Sequence, residues 1–223
     1  MYGRQYDGKD LRFEASGGLM HAALVMRDKE TDSYWSIMTG DAIAGDLEGT
    51  PLEEWPLGEK AQWKDWVARH PATLVLSVGG EEHVENNPYD NYFASDSGFR
   101  DLAARDGRLE TKEPIYSFQI GDKKYAVPFS AFEGGAVVRA GGREAFLYRP
   151  ADVAVFYSTL AFQGTEGTFE RRQGGWHHAP TGARLDPGAG GFEAAERLDG
   201  FDTYWYMWSL THPDTEVLEP EPR

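Results

Sequence analysis

Two histidines attract attention first because they recur at equivalent places in the chain. His70 and His212 each stand directly before a proline and one helical turn after a tryptophan, Trp66 or Trp208. A histidine at the end of a repeated helix is suited to bind a metal or to act as a general base. A structural interpretation is favoured, in which each ring packs beside the tryptophans and hydrogen-bonds to a nearby carbonyl group.

His21 lies near sulfur ligands of the kind that copper prefers, namely Met20, Met26 and Met38. Met26 and Met38 fall in apolar, strand-like runs, where core filling accounts for them without a metal. The adjacent histidines at 177 and 178 would point to opposite faces of a strand, which disfavours a shared metal ion. The sequence therefore assigns no metal site, no cofactor and no catalytic residue.

A polar turn follows an apolar run in the N-terminal part of the chain. The turn reads Asp-x-x-Thr-x-Ser from Asp28 to Ser33, a pattern that can satisfy its own backbone or present a polar rim to a ligand. The turn role is favoured over the ligand role. Six residues are retained as candidates for ligand binding: His21, Arg27, Asp28, Trp35, His70 and His212.

Composition excludes several classes of function. The 223 residues contain no cysteine, which rules out disulfides, thiolate metal sites and a cysteine nucleophile. A formal net charge of −15 repels phosphate backbones, so nucleic acid is not expected as a partner. No apolar run approaches a membrane span, and residues 1–10 lack the features of a signal peptide. We expect a soluble protein that does not bind membranes and is cytoplasmic by default, although no residue identifies the compartment.

One segment of the chain occurs twice. Residues 62–77 and 204–219 share the pattern Trp-x-x-Trp-x-x-x-His-Pro-x-Thr-x-Val-Leu without a gap. Matched tryptophans are rare by chance, so two of them in register indicate an internal duplication. Upstream, looser parallels relate residues 11–13 to 160–162 and Trp35 to Trp176. The duplication predicts two like structural units.

The apolar pattern predicts an α+β fold that is mainly β, with antiparallel strands and one tryptophan-rich helix in each unit. Short strand-like runs on either side of polar or glycine turns predict hairpins over 24–38, 115–127 and 168–178. Two further strands are expected at 144–148 and 153–157.

Three helices are predicted. In the first, Glu59 to His70, the apolar residues fall on one face, and Pro71 ends the helix. Its equivalent begins after a capping Asp202 and ends at His212. A third, short helix is expected at about 98–106, after an ordered loop over 81–96.

The duplication divides the chain into a first unit (1–80), a connector (81–112), a second unit (113–219) and a tail (220–223). The second unit has a front part, 113–157, that has no counterpart in the first. We therefore expect the first unit to be N-terminally incomplete, with an open sheet edge. The second unit, residues upstream of Met1, or another chain, including a second copy in a homo-oligomer, would cover that edge.

Several motifs resemble those of a bacterial and archaeal protein family. They are residues 24–35 (LVMRDKETDSYW), residues 39–45 (TGDAIAG), the duplicated tryptophan segment and residues 87–93 (NPYDNYF). Over nearly its whole length the chain resembles the domain of unknown function 3179 family. The resemblance implies no assigned activity. Many members carry Tyr-Cys-Pro-x-Cys, a segment suited to metal or redox chemistry, where this chain has Tyr-Arg-Pro-Ala-Asp at 148–152.

The leading functional hypothesis is a non-catalytic binding or structural module, because the cysteine pair is lost and no catalytic triad is assembled. The expected binding place is an aromatic-lined cleft between the two units. Both a small-molecule ligand and a protein partner stay open. The alternative hypothesis is a metal-handling protein or metal-dependent enzyme, with a site at the interface of the two units that uses His21, His70 and carboxylates.

Overall fold

The protein is described by a computed structural model, which covers residues 2–55, 60–77, 88–151, 153, 157–192 and 195–220. Strands predominate and the helices are few and short, which confirms the mainly β, α+β class. Among the described residues, no helix has the length and apolar character needed to cross a membrane.

The N-terminal part of the chain forms one small antiparallel sheet with its own core. A two-stranded ribbon comes first and consists of β1 (Gln5–Tyr6) and β2 (Lys9–Asp10). The sheet itself consists of β3 (Phe13–Met20), β4 (Ala23–Asp28), β5 (Tyr34–Ser36) and β6 (Ala42–Ala44), which pair in chain order. The predicted hairpin over 24–38 is therefore confirmed in β4 and β5. Leu11, Trp35 and Ala42 form the buried core of this sheet.

The C-terminal part contains the remaining strands. They are β7 (Pro114–Ile120), β8 (Lys123–Pro128), β9 (Ala136–Ala140), β10 (Arg143–Tyr148), β11 (Leu160–Gly164), β12 (Phe169–Arg172), β13 (Gly175–His178), β14 (Ala183–Arg184), β15 (Glu196–Arg197), β16 (Gly200–Tyr204) and β17 (Glu216–Val217). In the part of the chain that the structure describes, they pair as three sheets in the orders β16-β7-β8-β17, β15-β11-β10-β9 and β12-β13-β14. The hairpins predicted over 115–127 and 168–178 and the strand at 144–148 are confirmed.

The C-terminal sheets are stacked on one another. The reason is that apolar side chains on both faces of a strand enter two different cores. On β7 and β8, Tyr116 and Phe118 face the sheet that contains Val138, whereas Ile115 and Ala126 face the opposite side. A strand that is buried on both faces places alternate side chains in two different cores. The sheet of β9, β10 and β11 is likewise buried on both faces, and its outer face packs against β12 and β13.

The described residues contain three α-helices: α1 (Trp63–Arg69), α2 (Asp90–Ala94) and α3 (Trp205–Thr211). Single 3-10 turns occur at Phe99–Asp101, Phe129–Ala131 and Pro187–Ala189.

Several sequence-based predictions for the helices and strands need correction. α1 begins at Trp63, because residues 60–62 are not helical, and Glu59 lies outside the described residues. The residue before α3 is Tyr204, so Asp202 does not cap this helix. The expected helix at 98–106 is limited to its 3-10 turn, whereas part of the expected loop forms α2. In the expected strand at 153–157, the described end residues are not in a strand, and 154–156 lie outside the described residues.

α1 and α3 share one local structure. Each ends at its histidine in nearly the same backbone conformation, φ −128° and ψ 67° at His70 and φ −128° and ψ 74° at His212. The Trp66 indole donates to Thr73 Oγ1 at 2.9 Å, and the Trp208 indole donates to Thr215 Oγ1 at 2.8 Å. The matched sequence therefore forms the same helix, histidine stop and tryptophan-threonine hydrogen bond in both places.

The burial of the two helices differs. Trp205 and Trp208 are buried, and they pack with Ile115 of β7 and with Met38 in the turn between β5 and β6. In α1 no residue is buried, and Trp63 keeps 53% of its surface exposed. The apolar face shared by the two helices predicts that each packs its indoles against the sheet of its own unit, and this prediction is wrong for α1. No sheet in the described part of the chain covers α1 as β7 and β8 cover α3.

This difference predicts unequal effects of the same substitution in the two helices. We expect Trp208→Ala to lower the free energy of unfolding by about 3 to 5 kcal/mol, because it empties a large buried site. Trp66→Ala should cost about 1 kcal/mol or less, because this indole is only half-buried. Denaturant titrations of both variants measure the two values. Equal losses would show that the two tryptophans have equivalent packing.

Candidate functional site

Asp28, one of the candidate ligand-binding residues, is the buried centre of a hydrogen-bonded turn. Its carboxylate accepts hydrogen bonds from the indole of Trp35 at 2.8 Å and from the backbone N–H of Thr31 at 2.6 Å. The Thr31 hydroxyl and the backbone N–H groups of Glu30 and Ser33 donate to it as well. Asp28 has no exposed surface and Trp35 has 2%. The geometry favours the turn role over a ligand-binding role.

Electrostatics agree with this role for Asp28. Burial raises the pKa of the carboxyl group, but the hydrogen bonds from Trp35, Thr31 and Ser33 together outweigh it and lower the pKa. The neighbouring candidate, Arg27, lies on the surface and forms ion pairs with Asp32 and Glu14. Neither Arg27 nor Asp28 lines the two cavities described below.

His21 and His212 come together at the boundary between the N-terminal sheet and the C-terminal part. His21 occupies the turn between β3 and β4 with a positive φ of 52°, and its Nδ1 lies 3.3 Å from Oγ1 of Thr211 on α3. His212 follows Thr211 directly. His70 is not part of this group, because its exposed ring packs 4.4 Å from Trp66 at the end of α1. The structure therefore brings together two of the three candidate histidines.

A cleft of about 660 Å³ lies beside His212, between the two parts. We call it the interunit cleft. Three carboxylates line it, Asp41 and Glu54 from the N-terminal part and Asp199 from the C-terminal part, together with Lys124. The sequence predicted an aromatic-lined cleft at this boundary, but the lining is largely polar. Phe118 and Trp208 contribute to the lining, but both are almost fully buried, so little of their aromatic surface faces the cleft.

His212 is held neutral in this cleft. Burial lowers its pKa to about 4, and the charges of Lys124 and His21 act in the same direction. Its ring packs 4.2 Å from the Trp208 ring, centroid to centroid. Within the described residues, no group of three or more histidine, aspartate or glutamate side chains is arranged to hold a metal ion.

A second cavity, which we call the aromatic pocket, has a volume of about 310 Å³ and an apolar lining. Its walls come from α2, from the turn after β8, and from β16 and α3. The lining side chains are Tyr89, Tyr92, Phe93, Phe129, Asp202, Thr203, Tyr204 and Met207. Five aromatic rings thus surround a space with a single carboxylate.

Helix α2 is fastened over this pocket by contacts to distant parts of the chain. The hydroxyl of Tyr92 lies 3.1 Å from the hydroxyl of Tyr206 on α3. The Lys112 ammonium donates to the carbonyl groups of Tyr92 and Ser95 and lies 4.2 Å from the centre of the Tyr92 ring. An ammonium over an aromatic face is attracted by the ring quadrupole. These contacts hold a five-residue helix that is too short to be stable alone.

Asp202 contributes the carboxyl group in the lining of the aromatic pocket. Burial raises the pKa of its carboxyl group, and two hydrogen bonds from Thr159 oppose this shift. The guanidinium of Arg149 lies 4.0 Å away, and it packs over the ring of Phe129. A buried carboxyl group of this kind can accept a hydrogen bond from a ligand in the pocket.

The candidate residues chosen from the sequence do not include those of the aromatic pocket. A signal was present, because residues 88–93, part of a family-like motif, supply Tyr89, Tyr92 and Phe93. The asparagine, aspartate and tyrosine content of residues 81–96 predicts a loop there instead. Its aromatic side chains line one cavity only because α2 packs against α3.

The comparisons with known proteins identify the family. The model of the family described as Protein of unknown function (DUF3179) matches residues 1–215. The chain belongs to this family. Neither the curated proteins nor the solved structures contain a match.

The low pKa of His212 predicts a loss of stability at acidic pH. As pH falls, the unfolded chain protonates this histidine near its ordinary pKa of 6.5, whereas the folded protein protonates it only near 4. The contribution is therefore fully present above pH 6.5 and is lost between about pH 6.5 and about pH 4. We expect His212→Gln to flatten the fall in melting temperature over this range.

His70→Gln is the matched control, because His70 ends the same local structure but is exposed. Melting curves at several pH values compare both variants with the parent protein. If His212→Gln and His70→Gln keep the full slope of the parent, burial of His212 does not contribute to the pH dependence.

Proposed function

We propose that this DUF3179 protein is a non-catalytic module that binds a small, mainly apolar molecule in the aromatic pocket. The observation that supports this proposal is the composition of the pocket lining, in which five aromatic rings and Met207 surround one buried carboxyl group, that of Asp202. Ligand sites combine apolar walls with a few polar groups that fix orientation. The volume of about 310 Å³ is at the lower end of the range for such sites.

The chemistry of the ligand follows from the lining. Flat apolar groups stack against the rings of Tyr89, Phe93 and Tyr204. A hydroxyl or N–H group on the ligand would donate to Asp202. A second anion is disfavoured beside this carboxyl group, so we expect the ligand to be neutral or to carry a single donor group.

The lining also supports a non-catalytic role. Among the described residues around the pocket there is one carboxyl group and no histidine, serine or lysine. Acid-base and nucleophilic catalysis depend on paired groups within hydrogen-bonding distance. Asp202 accepts its hydrogen bonds from Thr159, and no histidine, lysine or serine among the described lining residues is available to form a catalytic pair with it.

The alternative, a metal-handling role at the interunit cleft, is supported only by the neutral His212 and the carboxylates around it. Metal analysis of the purified protein after dialysis distinguishes the two proposals. Copper, zinc or iron retained at one ion per chain would favour the alternative.

Binding in the aromatic pocket predicts a measurable effect of Tyr89→Ala. The test titrates the protein with small neutral aromatic and aliphatic compounds, such as indole and phenol, by calorimetry. We expect saturable binding, which Tyr89→Ala weakens about tenfold, equivalent to about 1.4 kcal/mol, because a stacking face is removed.

Tyr34→Ala provides the matched control, since Tyr34 is also a partly exposed tyrosine but lies on β5, outside the pocket. It should leave the affinity unchanged. The proposal is contradicted if neither compound class binds below about 1 mM, the limit of weak specific binding. Equal effects of Tyr89→Ala and Tyr34→Ala would likewise remove the pocket as the binding site.

A further inference from the structure

Three consecutive apolar side chains after α1 are exposed to solvent. Leu74, Val75 and Leu76 keep 93%, 66% and 92% of their surface exposed. Single exposed apolar residues are ordinary, but a continuous exposed run marks an interaction site or an aggregation hazard. Residues 74–76 belong to no strand, and the structure records no strand paired with them within its described part. We call residues 74–76 the exposed segment.

The duplicated sequence shows what a covered version of this segment looks like. Its counterpart is 216–218, which follows the same helix, histidine stop and tryptophan-threonine hydrogen bond. There Glu216 and Val217 form β17, which pairs in parallel with Tyr125 and Ala126 of β8. The backbone N–H of Leu218 continues this pairing by donating to the carbonyl of Ala126 at 2.9 Å.

The covered segment makes apolar contacts on both faces of its strand, where Val217 and Leu218 are partly buried. Val217 packs against the cluster that contains Trp205 and Trp208, whereas Leu218 packs against the core between the stacked sheets. Val75 and Leu76 are the corresponding residues of the exposed segment. They have the side chains for the same two contacts, but no hairpin lies against them.

We propose that the exposed segment binds the edge of a β-hairpin supplied by a partner protein, to which it adds as a parallel strand. The partner hairpin takes the place relative to α1 that β7 and β8 take relative to α3, and it covers Trp63 and Trp66. Addition of a strand to a sheet edge gives affinity through main-chain hydrogen bonds and specificity through alternate side chains.

The side chains of the exposed segment define the chemistry of the partner edge. In the covered copy, Lys123 of the hairpin forms an ion pair of 2.7 Å with Glu216. Leu74 replaces that glutamate, so the partner should present an apolar residue in place of the lysine. In the added strand, Val75 would face the opposite side from Leu74 and Leu76, because successive side chains of a strand alternate between its two faces. The partner edge must therefore be apolar on both faces.

The β7–β8 hairpin of a second copy does not fit as the occupant. Its own hairpin edge is already paired with β17 and packed on α3. It would have to lose those contacts before it could accept the exposed segment. A hairpin from a different protein carries no such cost.

The test uses a synthetic hairpin whose sequence is residues 113–129 of this chain, closed by a disulfide between two added terminal cysteines. Closure is needed because an isolated two-stranded hairpin is marginally stable in water. Amide hydrogen exchange of the full protein is measured with and without the peptide. We expect slower exchange at residues 73–77, no change at 216–218, and tighter binding when the peptide carries Lys123→Leu.

Two protein variants examine the mode of binding. Leu76→Pro removes the N–H group that corresponds to the Leu218 donor, and we expect it to weaken peptide binding about tenfold or more, as the loss of a main-chain bond at a strand edge should. Ile37→Ser is the control, because Ile37 is another exposed apolar residue, 47% exposed, outside the exposed segment. It should leave the affinity unchanged.

Any one of the following outcomes would overturn the proposal. The first is exchange at 74–76 as slow as at 216–218 in the protein alone, which would mean that the segment is already covered. The second is a concentration-dependent dimer that protects 74–76, which would make a second copy the occupant. The third is peptide binding that releases 216–218 instead. The fourth is the absence of peptide binding up to about 1 mM, or equal binding by the parent and Leu76→Pro.

Discussion

The burial of Trp205 and Trp208 of α3 is the contact on which the rest of the structure depends. The two indoles lie among side chains of the β7–β8 hairpin, of the N-terminal part (Ala23 and Met38) and of the segment before β7 (Ala104 and Leu109). Their N–H groups are satisfied inside this cluster, at the carbonyl of Asp106 and the hydroxyl of Thr215. Because a buried unpaired N–H group is costly, α3 can pack only where both partners are in place. One short helix therefore fixes the relative position of three separate parts of the chain.

Both cavities are consequences of this placement. Met207 of α3 contributes to the aromatic pocket, whereas its neighbour Trp208 and the following His212 contribute to the interunit cleft. Consecutive residues of a helix point in different directions, so one helix can serve two cavities. The aromatic pocket also needs Tyr206, whose hydroxyl group lies against α2. A change in the packing of α3 would therefore alter the pocket, the cleft and the pKa of His212 together.

The duplicated segment forms the same local structure in α1 and α3 although the two helices have different surroundings. This shows which of its features depend on local contacts and which on contacts with distant parts of the chain. The helix, the histidine stop and the tryptophan-threonine hydrogen bond form with or without a covering sheet, since all their partners lie within one short segment. Burial of the indoles does not follow from these local contacts. It depends on whether a hairpin from elsewhere lies against the helix, as β7 and β8 do for α3. The division into two like units stays a prediction, which the shared local geometry supports.

Local sequence was sufficient for the features whose interactions are short-range. Alternation and turn residues predicted the hairpins, Pro71 and Pro213 predicted the ends of two helices, and the Asp28 turn was predicted from its own spacing. The family was also evident from motifs. Tertiary structure alone decided that α1 is exposed, that the aromatic pocket lies between α2 and α3, and that His21 meets His212 without His70. These features depend on contacts between residues far apart in the chain, and no local pattern of apolar and polar residues specifies which surfaces will cover one another.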